Sequence, residues 1–161
     1  MIAVFKKYRP EILGSVLCIV LGLLSGLYSD GAQSQWYLEL KKPKIIPPGW
    51  VFGVVWSVLY LLMGIALGKI WKVRLFNYSL LGLFALQMLF NLLWSPLFFY
   101  YHYIHLALID IFVLWVCLIS LMTQVRMYRS IYLLLVPYIL WVSFALALNY
   151  SIYRLNVVIT T

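Results

Sequence analysis

The sequence predicts an all-α membrane protein, one domain of about five transmembrane helices with almost no soluble part. Three observations predict it. Hydrophobic residues make up 66% of the 161 and charged residues only 10%, with a mean hydropathy of +1.01. A soluble domain carries about a quarter charged residues, so 12 basic and 4 acidic side chains cannot furnish a solvated surface. Second, the charges leave runs long enough to span a bilayer, roughly 17–25 residues each. Third, the alternating ten-residue pattern of barrel strands is missing, and lipid offers backbone groups no partners outside a helix.

The run from Ile12 up to Asp30 gives a first helix at about 11–28, closing in Gly26-Leu27-Tyr28. Lys6, Lys7 and Arg9 before it and Ser29-Asp30-Gly31-Ala32 after it also fit a cleaved signal peptide. Against that, Gly14, Cys18, Gly22 and Gly26 recur every fourth position, a stripe for close helix packing that a discarded signal does not need. Trp50–Gly68 gives the second helix, about 49–70, with Lys69 just past the run. From Arg74 to Arg126 the only intervening charge is Asp110, in a stretch too long for one span. The cluster Tyr100-Tyr101-His102-Tyr103-Ile104-His105, after Pro96, marks the break. Helices three and four then cover about 76–99 and about 105–125, and a fifth about 131–154 with Pro137 in its first half.

Basic residues set orientation. With five spans, Lys6, Lys7, Arg9, Lys69, Lys72, Arg74, Arg126 and Arg129 share one side, against Lys41, Lys42, Lys44 and Arg154 on the other. The positive-inside rule puts the N-terminus in the cytoplasm and the C-terminus outside. The net charge of +8 is spread along loop edges, so no nucleic-acid surface is expected. Cys18 and Cys117 lie inside spans and read as small packing residues.

The connection at about 29–48 is the only long one, and loops of that length are usually functional or disordered. It holds Trp36, Tyr37, Pro43, Pro47 and Pro48, so it reads either as a stiff lid or as an aromatic anchor at the headgroups. Beneath it, spacing gathers polar and aromatic groups. Gln87, Asn91 and Trp94 share a face of helix three, and Trp141, Ala145 and Asn149 form a stripe on helix five. Trp56 and Tyr60 fall in the first turns of helix two, and Asp110 early in helix four. The plainer alternative is that Gln87, Asn91 and Asp110 only hydrogen-bond neighbouring helices. Gly64 and Gly68 make a G-x-x-x-G pattern that allows close packing within or between chains. His102 and His105 have no neighbouring acids or cysteines, so no metal site is expected, and no nucleophile has a plausible base.

Trp36-Tyr37, Lys42-Pro43, Pro47-Pro48, Trp50-Val51-Phe52, Trp56 and Leu59-Tyr60 resemble the first half of the TspO/MBR family. Gln87, Asn91, Trp94, Phe98-Phe99, Asp110, Pro137-Tyr138, Trp141, Phe144-Ala145, Leu148-Asn149 and Leu155-Asn156 are similar to its second half, in the same order. The resemblance covers nearly the whole chain. It implies a five-helix bundle in contact with membrane lipid, often a homodimer, with a cavity open toward loop one. It also implies a porphyrin such as protoporphyrin IX, or another apolar small molecule, as ligand rather than a required cofactor. The pocket positions it implies are Tyr37, Trp56, Asn91, Trp94, Trp141 and Ala145, to which the spacing above adds Gln87. In some bacterial relatives the tryptophans matching Trp56 and Trp141 are linked to light-dependent porphyrin breakdown, which makes them the candidate catalytic residues. Leu148, Tyr150 and Arg154 fit the loose sterol-contact pattern, although an ordinary helix end with a snorkelling arginine reads the same way. The leading expectation is a tetrapyrrole-binding receptor or sensor. A porphyrin transporter and a light-dependent porphyrin-degrading enzyme are the alternatives, and a bacterial cytoplasmic membrane is preferred to a mitochondrial outer membrane.

Overall fold

The computed structural model describes residues 2–27, 34–73 and 78–158. They form α1 (Ile2–Leu27), the short α2 (Gln35–Glu39), α3 (Gly49–Val73), α4 (Tyr78–Ser95), α5 (Ile104–Val125) and α6 (Arg129–Tyr153). Looser π-helical turns prolong α4 through Pro96–Tyr100 and α6 through Arg154–Val158. Five of these helices are long and apolar enough to cross a membrane, and no strand occurs among the described residues. Tyr28, the Ser29–Ala32 segment, Arg74 and the expected start of the third span at about 76 lie outside the described residues.

The first helix begins at Ile2 rather than at about 11. Hydropathy registers only the lipid-immersed part of a helix, whereas this one continues through the exposed Lys6, Lys7 and Arg9 with Pro10 inside it. Glu11 is buried in the seam between α1 and α3, where its Oε1 lies 2.6 Å from Lys72 Nζ. The same ammonium donates to the Lys7 carbonyl at 2.8 Å.

Glycines make that seam. Gly14 sits against the Gly64 carbonyl, Gly64 against the backbone of Gly14 and Ser15, and Gly68 against that of Pro10 and Glu11. Gly22 lies under the Tyr60 ring, and Cys18 is fully buried. The G-x-x-x-G pattern of α3 therefore serves contact within the chain. With no hydrophobic drive between helices in lipid, such backbone-to-backbone approach supplies the dispersion that holds them together. Elsewhere the core is built of larger residues: Leu114, Leu118, Leu121, Leu135, Tyr138 and Val142 are at most 1% exposed.

The break between α4 and α5 falls where the tyrosine–histidine cluster indicates. The Tyr101 N–H donates to the Pro96 carbonyl and the Tyr103 N–H to that of Leu97, both at 2.9 Å. His102 reverses the chain with φ of 58°, in the left-handed region that histidine enters more readily than most residues. Pro96 itself does not end the helix, because the wider turn that starts there absorbs its missing donor.

Candidate functional site: an aromatic cavity under loop one

At the loop-one end the helices enclose a cavity of about 370 Å³. α1 gives it a wall of small residues, Gly22, Ser25 and Gly26, and α3 gives Phe52, Gly53, Trp56 and Tyr60. α4 and its π turn contribute Asn91, Trp94, Phe98 and Phe99, α6 contributes Ala145, Leu148 and Asn149, and Tyr37 and Ile46 close it from loop one. Among the described residues none on this wall is a charged acid or base.

The polar groups form a chain across three helices. Tyr60 Oη donates to Asn91 Oδ1 at 2.8 Å, Asn91 Nδ2 donates to Tyr138 Oη at 3.0 Å, and Tyr138 Oη donates to Gln87 Oε1 at 2.8 Å. A second link joins the π-turn corner to α6: Trp94 Nε1 donates to Asn149 Oδ1 at 2.9 Å, and Asn149 Nδ2 to the Ile104 carbonyl at 3.4 Å. Trp94 stacks on Phe98 with centroids 5.2 Å apart. The wall is thus a set of flat rings and amides held by one another.

Five of the seven expected pocket residues line the cavity: Tyr37, Trp56, Asn91, Trp94 and Ala145. Two do not. Gln87 shares the face of Asn91 but lies one turn deeper, 0% exposed beneath the floor, where it anchors Tyr138. Trp141 stands behind Phe52, edge to face at 5.6 Å, with its Nε1 buried and without a hydrogen-bond partner among the described residues. Asp110 is also off the wall: it is buried, and its Oδ2 has no hydrogen-bond partner among the described residues. Of the sterol-motif residues, Leu148 lines the cavity while Tyr150 and Arg154 are exposed, with Arg154 Nη1 donating to Tyr150 Oη at 3.3 Å. The three do not share one surface.

Loop one is held by a local helix cap and by ties to the rest of the bundle. Ser34 caps α2 by accepting from the Tyr37 N–H at 3.2 Å, the preferred chemistry for a helix start. Trp36 stacks on His102 at 4.0 Å and 14°, which ties the loop to the α4–α5 corner. Asn156, in the turn that ends α6, accepts from the Lys41 N–H and donates to the Lys41 carbonyl, each at 2.9 Å. Tyr37 is 8% exposed, packed on Phe98 and Phe99 with the Lys42 ammonium 4.6 Å above its ring. Burial pushes its phenol up from the ordinary tyrosine range, so it meets the cavity as a neutral hydroxyl. Tyr37 therefore roofs the cavity, which a free headgroup anchor would not do. Sequence reasoning missed Ser25 and Gly22 as wall residues, and it placed Tyr138 only by resemblance. Tyr138 lies seven residues before Ala145, two helical turns away on the same face, which was the available signal.

The TspO/MBR family profile matches residues 14–154. The tryptophan-rich protein TspO of Chlorobaculum tepidum is 38% identical, covering 87% of this chain and 91% of its own. Protein CrtK of Rhodobacter capsulatus is 37% identical over 88% of this chain and 89% of its own. The human translocator protein is 35% identical over 89% of each.

Proposed function

We propose that this chain, which belongs to the TspO/MBR family and is an integral membrane protein, is a membrane sensor or receptor that takes a flat tetrapyrrole into the cavity under loop one. One observation carries the ligand class: an uncharged wall of rings, with Asn91 and Asn149 as its amides, closed by a neutral tyrosine. Apolar pockets with a few fixed polar groups suit planar apolar ligands, the rings giving area and the amides orientation. Relatives named as sensory and as translocator proteins support the receptor reading.

Protoporphyrin IX is expected to quench tryptophan emission saturably in detergent, through Trp56 and Trp94 at the wall. Ala145→Phe pushes a ring into the cavity and should raise the half-saturating concentration tenfold or more. An unchanged titration in Ala145→Phe would move the ligand elsewhere.

Loop one and the C-terminal turn face outward in this reading, and the membrane is a bacterial cytoplasmic one. Lys7, Glu11 and Lys72 meet at one end of the bundle, while Lys41 and Asn156 meet at the loop-one end. The excess of Lys and Arg at the first end supports a cytoplasmic location for it. A C-terminal alkaline phosphatase fusion should be active and a C-terminal green fluorescent protein fusion dark; the opposite pair would invert the chain.

A further inference from the structure

We propose that the groove between α1, α3 and α4 at the basic end binds a phospholipid with an anionic headgroup, one acyl chain lying in the groove and the phosphate on Arg9. The groove holds about 890 Å³ and shares no lining residue with the cavity under loop one. It exists because the glycine seam draws α1 closely onto α3, whereas α1 meets α4 sparsely, Ser25 Oγ donating to the Leu92 carbonyl at 2.8 Å. Leu13, Leu17, Leu67, Phe84, Met88 and Leu89 form its walls, and Arg9 is the one charged residue of its lining among the described residues.

Length selects the occupant. The lining runs along α1 from Arg9 to Leu21 and along α4 from Leu81 to Leu92. At 1.5 Å rise per residue each edge is roughly 17–18 Å long, against a hydrocarbon core of about 30 Å. The groove thus spans about one leaflet from the basic end and stops near the midplane. That is the shape of a lipid chain; a helix of a second copy would continue through the other leaflet.

Charge selects the headgroup. Lys72 is engaged by Glu11 and the Lys7 carbonyl. Arg9 is exposed at the mouth and makes no hydrogen bond or ion pair among the described residues. A guanidinium offers paired donors that match phosphate oxygens. Trp71 lines the same mouth, at the level where indoles settle among headgroups.

The test uses the full chain in detergent micelles, titrated with phosphatidylglycerol or phosphatidylcholine brominated on the acyl chain. Quenching specific to the groove is the part lost in Trp71→Phe. Phosphatidylglycerol should half-saturate it at about fivefold lower concentration, the effect of one basic side chain near an anionic surface. Arg9→Gln, an exposed change that leaves the packing intact, should bring the two lipids together. Ala85→Phe, which fills the groove from α4, should weaken both. Equal titrations in the unmodified protein, or a preference that survives Arg9→Gln, would overturn the proposal. So would groove quenching by neither lipid together with a loss of dimer in Ala85→Phe by light scattering, which would give the groove to a second copy.

Discussion

Gly64→Ala should lower the thermal midpoint of the protein in detergent by roughly 10 °C. A Cβ at Gly64 would enter the backbone of Gly14 and Ser15, and backbone cannot turn aside as the end of a side chain can. Overpacking of this kind costs about 1–3 kcal/mol, occasionally more, and a kilocalorie moves the midpoint of a chain this long by about 2–4 °C. Gly82→Ala is the internal control. Among the described residues no neighbouring atom lies within 4 Å of its added Cβ, and alanine is favoured over glycine inside a helix by about 1 kcal/mol. It should leave the midpoint unchanged or raise it. The readout is built into the seam: Cys18 is fully buried there, so a thiol-reactive dye reports the separation of α1. Equal midpoints for Gly64→Ala and Gly82→Ala would show that α1 does not pack on α3 through its glycines.

Asn91→Ala should weaken protoporphyrin IX binding about tenfold and also destabilise the empty protein. Asn91 is 4% exposed, and both ends of its amide are used, by Tyr60 and by Tyr138. Removal leaves the Tyr60 hydroxyl without its acceptor, a loss in the range of about 1–3 kcal/mol for a buried group. Polar contacts between membrane helices average nearer 0.6 kcal/mol, with a maximum of about 1.7, because the separated helices find other partners. The expected loss is therefore about 1–2 kcal/mol. Tyr60→Phe tests the link: combined with Asn91→Ala it should cost less than the sum of the two, since they break one bond. Strict additivity would mean that the chain of hydroxyls and amides is not coupled, and unchanged porphyrin affinity in Asn91→Ala would remove the amide from the recognition surface.

The spans were legible because their signal is one-dimensional: a charge ends a lipid-soluble run wherever the chain carries it. The same logic could not see Ile2 as a helix start, since Lys6, Lys7 and Arg9 are as helical in the interface as leucines are in lipid. Nor could it find α2, five residues long and started by Ser34, whose hydroxyl and carbonyl accept from the Tyr37 and Leu38 N–H groups. At the site, residue spacing gave direction better than depth. Gln87 points the right way from α4 but lies a turn too deep. Trp141 fails by rotation: at 3.6 residues per turn, a stripe drawn every four residues drifts about 40° per step. Asn149 and Trp141 are thus about 80° apart around α6, and only the former reaches the wall. Gly22 and Ser25 were illegible as wall residues because being small is also what packing requires.

The fastening of loop one bears on time rather than affinity. A ligand entering through the loop-one end must release the Trp36–His102 stack and the paired Asn156–Lys41 hydrogen bonds, then let them re-form above it. The cost of opening is met on the way in and again on the way out, so it slows both passages and leaves the equilibrium between them untouched. Residence time in the pocket would then be governed by an asparagine at the end of the last helix, a residue that never touches what it detains.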